Sequence, residues 1–444
     1  MDIAGKQVQQ EDALQTDAQI KELVRELLYK NMISGRKAGF NYHYTKPSPS
    51  TYPFQYFWDT CFHIFILTEL GEVEMAKKHM RSLFRMQQAD GFVGHMSYWE
   101  RLWPARVTDL LQLKPRDVLR LYKPHMSALV QPPLAAQAVL RIYEKSHDTA
   151  FLKEMLPKLK AYYGWLATNR DFEQEGLLSI ITPFESGMDW KASYDPVLKY
   201  TKGVGGPLLF WKVLQVDAHN FRMGYNLPKI YKSNRFIVKD AAFNTIYAQN
   251  LEALAHLCSL AGDDAGPRFF AQAEKTAASI LKYMYDASEA AFFDLYGHHF
   301  TKLKVHTATI FFPVVLKSVP RDVCRKVLET HLFHQDGFHV QFPIPSLAID
   351  EPAFKPGESL YIWRGPTWVV FNWFVQGFLL EKGYNDQAKE LLLTVKRLIH
   401  KSGFREYYDP FTGEGHGAED FTWSGLLVDM LNKHKEATST GKND

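Results

Sequence analysis

Two carboxylate-bearing stretches have the composition needed for proton chemistry. Thr182-Pro183-Phe184-Glu185-Ser186-Gly187-Met188-Asp189-Trp190 sets two carboxylates and a glycine among apolar residues. An aspartic acid desolvated in such a loop has its pKa raised and can donate a proton. The second stretch runs from Glu406 to Asp420 as Glu-Tyr-Tyr-Asp-Pro-Phe-Thr-Gly-Glu-Gly-His-Gly-Ala-Glu-Asp, a glycine-rich backbone that leads into an apolar run. Acids such as Asp420 at the start of that run serve a helix dipole equally well. Further polar motifs stand just before apolar runs: Phe57-Trp58-Asp59-Thr60, Gln131-Pro132-Pro133 and Trp363-Arg364-Gly365-Pro366. Asp59 or Thr60 also reads as a helix cap, and Arg364 as the partner of a carboxylate.

Other chemistries find no support. The chain has no HExxH, CxxC, Walker loop or GxGxxG, and His63, His95, His306 and His339 are not at ligand spacing, so neither a metal site nor a cofactor is expected. A net charge of +3 is too small to draw nucleic acid or an anionic membrane. Three cysteines far apart, Cys61, Cys258 and Cys324, fit buried thiols in a reducing compartment. The polar N-terminus lacks a signal-peptide pattern, and the longest uncharged run, Gly365 to Leu380, falls short of the roughly 20 residues of a membrane span. These features place the protein in the cytoplasm, off membranes; they leave its oligomeric state open. Aromatic residues make up 14% of the chain, enough for a large core and for faces that stack on sugars.

The elements that must position these residues are helices. Pro133–Tyr143, Ala241–Ala261, Pro366–Leu380 and Phe421–Leu431 are apolar nearly all round and so must be buried on every side. Glu72–Gln88 and Ala388–Ser402 are amphipathic, with one wet face. The outer helices end in similar loops, Ala89-Asp90-Gly91-Phe92, Gln174-Glu175-Gly176-Leu177, Gln335-Asp336-Gly337-Phe338 and Ser402-Gly403-Phe404. The pattern predicts an all-α (α/α)6 barrel, six hairpins forming an inner and an outer ring. Long loops at 89–125, 171–235 and 333–365 would gather at one end as a pit, lined by the motifs that precede the inner helices. The chain reads as one domain over 1–444, with loose tails at 1–15 and 434–444.

Taken together, the motifs resemble glycoside hydrolase family 63, especially the compact branch of mannosylglycerate and glucosylglycerate hydrolases. The resemblance rests on Tyr52-Pro53 with Gln55 and the Phe57–Thr60 motif, on Gln131-Pro132-Pro133, and on Glu185-Ser186-Gly187-Met188-Asp189. It continues through Phe236, Val238, Asp240, Phe243, Asn244 and Trp363–Pro366 to Gly413–Ser424. It implies an inverting hydrolase with Asp189 as general acid and Glu419 as general base. By the same resemblance, Tyr52, Trp58, Asp59, Gln131, Gly187, Trp363 and Arg364 bind the substrate. The family motif continues Asn-Ser-Pro after its aspartate, whereas Trp190 and Lys191 stand here, and the tyrosine of its Tyr-Trp-Arg-Gly-Pro is displaced to Tyr361. An acidic aglycone would need a cation; Arg222 and Arg235 lie in the variable region but neither is assigned.

The expected function is therefore inverting hydrolysis of a small α-glucoside or α-mannoside, a glycerate glycoside among the candidates. A trehalase-like disaccharide hydrolase, a sugar epimerase using paired histidines on a similar barrel, and a non-catalytic sugar-binding protein are the alternatives.

Overall fold

The computed structural model describes residues 14–440 apart from 38, 100–106, 121–122, 201–205, 335–336 and 358–361. The apolar helices form an inner ring. α2 (Phe57–Glu69) is buried from Phe57 through Thr68, and α7 (Ala241–Ala261) carries Glu252 as its sole charge. α7 starts where the Asp240 carboxylate accepts the Phe243 N–H and stops at Gly262 in a left-handed conformation, the expected cap chemistry at both ends.

In space the inner ring runs α2, α4 (Ala135–Ser146), α7, a 3₁₀ helix at Ala308–Val315, α10 (Val369–Glu381) and α12 (Leu427–Thr440), and α12 packs back on α2. The outer helices are α3 (Val73–Leu83), α5 (Thr149–Arg170), α8 (Gly266–Ser279), α9 (Arg321–Val327) with a π turn at Leu328–Leu332, and α11 (Asn385–Ser402). The first helix, α1 (Asp17–Lys30), lies against α12 and completes the outer ring from the other end of the chain. The structure is an (α/α)6 barrel.

Several local expectations change. The fourth inner position is a 3₁₀ helix containing Pro313, which cannot hold an α-helical ladder. Pro132, Pro133 and Pro366 precede the first turns of α4 and α10 instead of occupying them. The long segment 171–235 carries a substantial helix, α6 (Gly206–Arg222), with Leu209, Val213 and Val216 turned inward. α12 continues through Thr440, over most of the stretch expected as a tail. Residues 1–13 and 441–444 of the expected tails, and Gln335 and Asp336 of the repeated loop, lie outside the described residues. In that loop Gly91, Gly176, Gly337 and Gly403 all have positive φ, the turn that lets an outer helix reverse toward the next element. No helix among the described residues is long and apolar enough to cross a membrane.

Short strands brace the pit end. β1 (Met32–Lys37) pairs with β2 (Phe40–Thr45), and β4 (Met96–Tyr98) lies between β3 (Gln55–Tyr56) and β5 (His125–Met126). β7 (Asp294–Tyr296) lies between β6 (Val238–Lys239) and β8 (Thr301–Leu303), and β9 (Arg405–Tyr408) pairs with β10 (Gly415–Glu419).

Candidate active site

The starts of the inner helices meet around a cavity of about 250 Å³, below the range of about 300–1,000 Å³ typical for drug-sized ligands and so suited to a small one. Trp58 and Asp59 enter from the first turn of α2, and Gln131 from the segment before α4. Trp363 and Trp368 come from the segment before α10, and Phe421 and Trp423 from the approach to α12. Trp363 and Trp368 stack with centroids 3.8 Å apart at 10°, and Trp423 meets Trp58 edge-on at 5.0 Å. These aromatic walls offer flat apolar faces. The Gln131 carboxamide oxygen accepts the Trp58 N–H at 3.2 Å, fixing its side chain at the rim of the helix.

The loop carrying Asp189 is built from within. Glu185, its other carboxylate, is fully buried and paired with Arg170 at 2.5 Å; it also accepts the Val130 and Ile181 N–H groups. It therefore holds the loop and does not face the cavity. Gly187, at φ +71°, is the point where the loop crosses the Trp58 indole: a Cβ there would lie 2.3 Å from Trp58 Cζ2. Asp189 then enters the cavity. Farther along, the matched positions at 240 and 244 serve the frame: Asp240 caps α7, and Asn244 bridges to Leu178.

Desolvation pushes the Asp189 carboxyl up to about 8, and the nearby charges of Asp217, Asp59 and Glu406 add to the rise. Burial likewise pushes Asp59 to about 7 against a hydrogen bond of 2.8 Å from Trp423 Nε1. Glu406 is raised by burial, opposed by donors at 2.6 Å from the Tyr52 hydroxyl and 2.7 Å from the Ala418 N–H. Tyr52 thus joins the cavity through Glu406, and burial drives its hydroxyl well above the ordinary phenol value. A protonated Asp189 beside a buried glutamate held by two donors can serve as an acid and base pair.

Glu419 does not enter this cavity. Its side chain is 76% exposed and pairs with Arg405 at 2.8 Å. The reason is strand alternation: Arg405 and Glu419 are register partners on the outward face of β9–β10, so the adjoining Glu406 and Ala418 face inward. Arg364, expected to touch substrate, instead lies behind the wall, its guanidinium bidentate to Asp195 at 2.8 and 2.5 Å and its Nε donating to the Trp190 carbonyl. Arg222 and Arg235 are exposed and do not line the cavity; Tyr361 lies outside the described residues. Tyr52, Trp58, Asp59, Gln131, Gly187, Asp189 and Trp363 do line it, together with Glu406, Trp368, Phe421 and Trp423, for which the motifs imply no site role. His95 also lines it, hydrogen-bonded to Ser127 and pushed by burial down to about 3, hence neutral. Among the described residues no group of three or more His, Cys, Asp or Glu is arranged to hold a metal.

Comparison with known proteins finds relatives along most of the chain. The model of the mannosylglycerate hydrolase MGH1-like glycoside hydrolase domain matches residues 52–424. The chain is 28% identical to a mannosylglycerate hydrolase of Thermus thermophilus over 87% of its own length and 95% of that protein. It is 27% identical to a glucosylglycerate hydrolase of Mycolicibacterium hassiacum, over 86% and 93% respectively. The crystal structure of a family 63 mannosylglycerate hydrolase from Thermus thermophilus with Tris and D-glycerate superposes with a TM-score of 0.78 at 26% identity, covering 93% of this chain and all of the other.

Proposed function

The chain belongs to the mannosylglycerate hydrolase MGH1-like glycoside hydrolase family, and from that membership we propose that it inverts small α-glucosides or α-mannosides, with Asp189 as general acid and Glu406 as general base. The observation that carries the reading is that these two carboxyl groups share one aromatic cavity, Asp189 raised to about 8 and Glu406 held by Tyr52 and Ala418. Asp189 protonates the leaving oxygen; Glu406 takes a proton from water as it attacks the anomeric carbon; the sugar departs with inverted configuration. Trp58, Asp59, Gln131 and Trp423 supply the stacking face and hydrogen-bonding groups for the glycone. Glycerate glycosides are the first substrates to test, because the named relatives act on them. The neutral His95, with no histidine partner among the described lining residues, speaks against the paired bases of an epimerase.

The test is a comparison of variants. Asp189→Asn and Glu406→Gln should each lower turnover of an α-glycoside by about 10²–10⁴ while melting normally, whereas Glu419→Gln should stay near wild type. Proton NMR of the first turnovers should show the β-anomer. Full activity in Glu406→Gln, or the α-anomer appearing first, would overturn the assignment.

A further inference from the structure

The cavity is closed below by the inner helices, and its residues grade from hidden to wet. Trp58, Trp363 and Trp423 are 3–5% exposed, Phe184 and Trp190 are half-buried, and Phe210 is 39% exposed. A glycone seated against Trp58 and Trp423 therefore leaves its aglycone at the end lined by Phe184, Trp190 and Phe210. There the Trp190 ring lies 6.1 Å from Phe184 at 77° and 6.1 Å from Phe210 at 34°.

Trp190 is held from both sides. Its carbonyl accepts Arg364 Nε at 2.8 Å, and the same guanidinium grips Asp195 farther along the loop. The next residue, Lys191, is buried between Asp240 and Asp294, at 2.8 Å from the latter. Asp240 in turn caps α7 and accepts the Tyr194 hydroxyl, while Asp294 accepts the Ala241 N–H. An aromatic ring anchored in this way loses little freedom when a ligand stacks on it.

We propose that Trp190 and Phe210 form an aglycone subsite that stacks on a ring, a pyranose or an aryl group, so that this chain prefers ring-bearing α-glycosides over those of bare glycerate. The inference rests on Asp189 being the acid at the scissile bond, since that places Trp190, one residue along, beside the leaving group.

Substrates sharing one glycone separate the two ideas: the α-glycosyl fluoride, the glycosylglycerate, and a disaccharide or 4-nitrophenyl α-glycoside. Fluoride leaves without needing a general acid and carries no ring, so its hydrolysis reports on the glycone site and Glu406. Wild-type kcat/KM should favour the ring-bearing substrates over the glycerate glycoside by several-fold to about tenfold. Trp190→Ala and Phe210→Ala should each reduce that preference through KM, relative to the fluoride measured in the same variant, and Trp190→Phe should restore most of it. A wild-type preference for glycerate, or equal losses on fluoride and ring-bearing substrates in both alanine variants, overturns the subsite. No fluoride turnover by the wild type removes the hydrolase reading, and the subsite with it.

Discussion

At the scale of the residue, the proposed mechanism requires one carboxyl to stay protonated and another to be ionised within the same cavity. Asp189 must carry its proton and sits at about 8, whereas Glu406 must lose its own from a value raised by burial. Activity should therefore rise as pH climbs through the Glu406 transition above 4.5 and fall as Asp189 ionises near pH 8. Asp217 contributes the largest like-charge effect on Asp189, and it is buried against Thr182 at 2.6 Å and Gln112 at 3.1 Å. Removing that negative charge makes ionised Asp189 less costly. Asp217→Asn should thus move the alkaline limb of kcat/KM to lower pH and leave the acid limb in place; an alkaline limb that stays put would remove Asp217 from the account. Asp189 was legible in the sequence because apolar neighbours and a glycine announce a desolvated loop. Glu406 was harder to see, because it shares a glycine-rich run with Glu419 and only the β9–β10 register decides which acid faces inward.

Among elements, that hairpin is sensitive to a single substitution. Gly417 has φ +68°, and a Cβ there would lie 2.5 Å from Glu406 Oε2 and 2.6 Å from the Tyr407 ring. Gly417→Ala adds backbone strain of roughly 1–3 kcal/mol and pushes on Glu406, the proposed general base. Turnover should fall by up to about a hundredfold while circular dichroism still reports a folded helical protein; unchanged kcat would mean that Glu406 need not be held where it is. The buried helices were readable because an all-round apolar run has one stable location, and α7 begins and ends where its pattern does. Ala308–Val315 escaped because eight residues broken by Pro313 show no helical period. α6 escaped for another reason: its inward Leu209, Val213 and Val216 are interleaved with exposed Phe210 and Trp211, which blurs the amphipathic stripe.

For the whole molecule, the decisive feature is that a ring of helices has no free edge, and here the closure is made by the two ends of the chain. α1 packs on α12 and on the 3₁₀ turn Thr422–Leu426; a Cβ on Gly425 would stand 2.9 Å from Val24. Asn31 donates to the Asp420 carbonyl at 2.8 Å, Lys30 pairs with the Asp420 carboxylate at 2.7 Å, and the Thr422 N–H donates to the Pro47 carbonyl at 2.9 Å. The same turn carries Trp423, whose indole donates to Asp59 in the cavity. Outer-ring closure and the cavity are thus joined through a few residues, although no described α1 residue lines the cavity. Leu28, fully buried in α1, separates the two roles. Leu28→Ala should cost about 2–5 kcal/mol of stability and leave kcat/KM near wild type at temperatures where the protein stays folded, since the Asn31 and Lys30 contacts remain. Deleting residues through Asn31 removes those contacts as well. The truncated protein should melt earlier and, even where folded, show a raised KM as Trp423 loses its backing and Asp59 its donor. Thermal melts paired with kinetics decide the matter: a truncation that lowers the melting temperature yet keeps the wild-type KM would show that closure of the ring supports the fold alone.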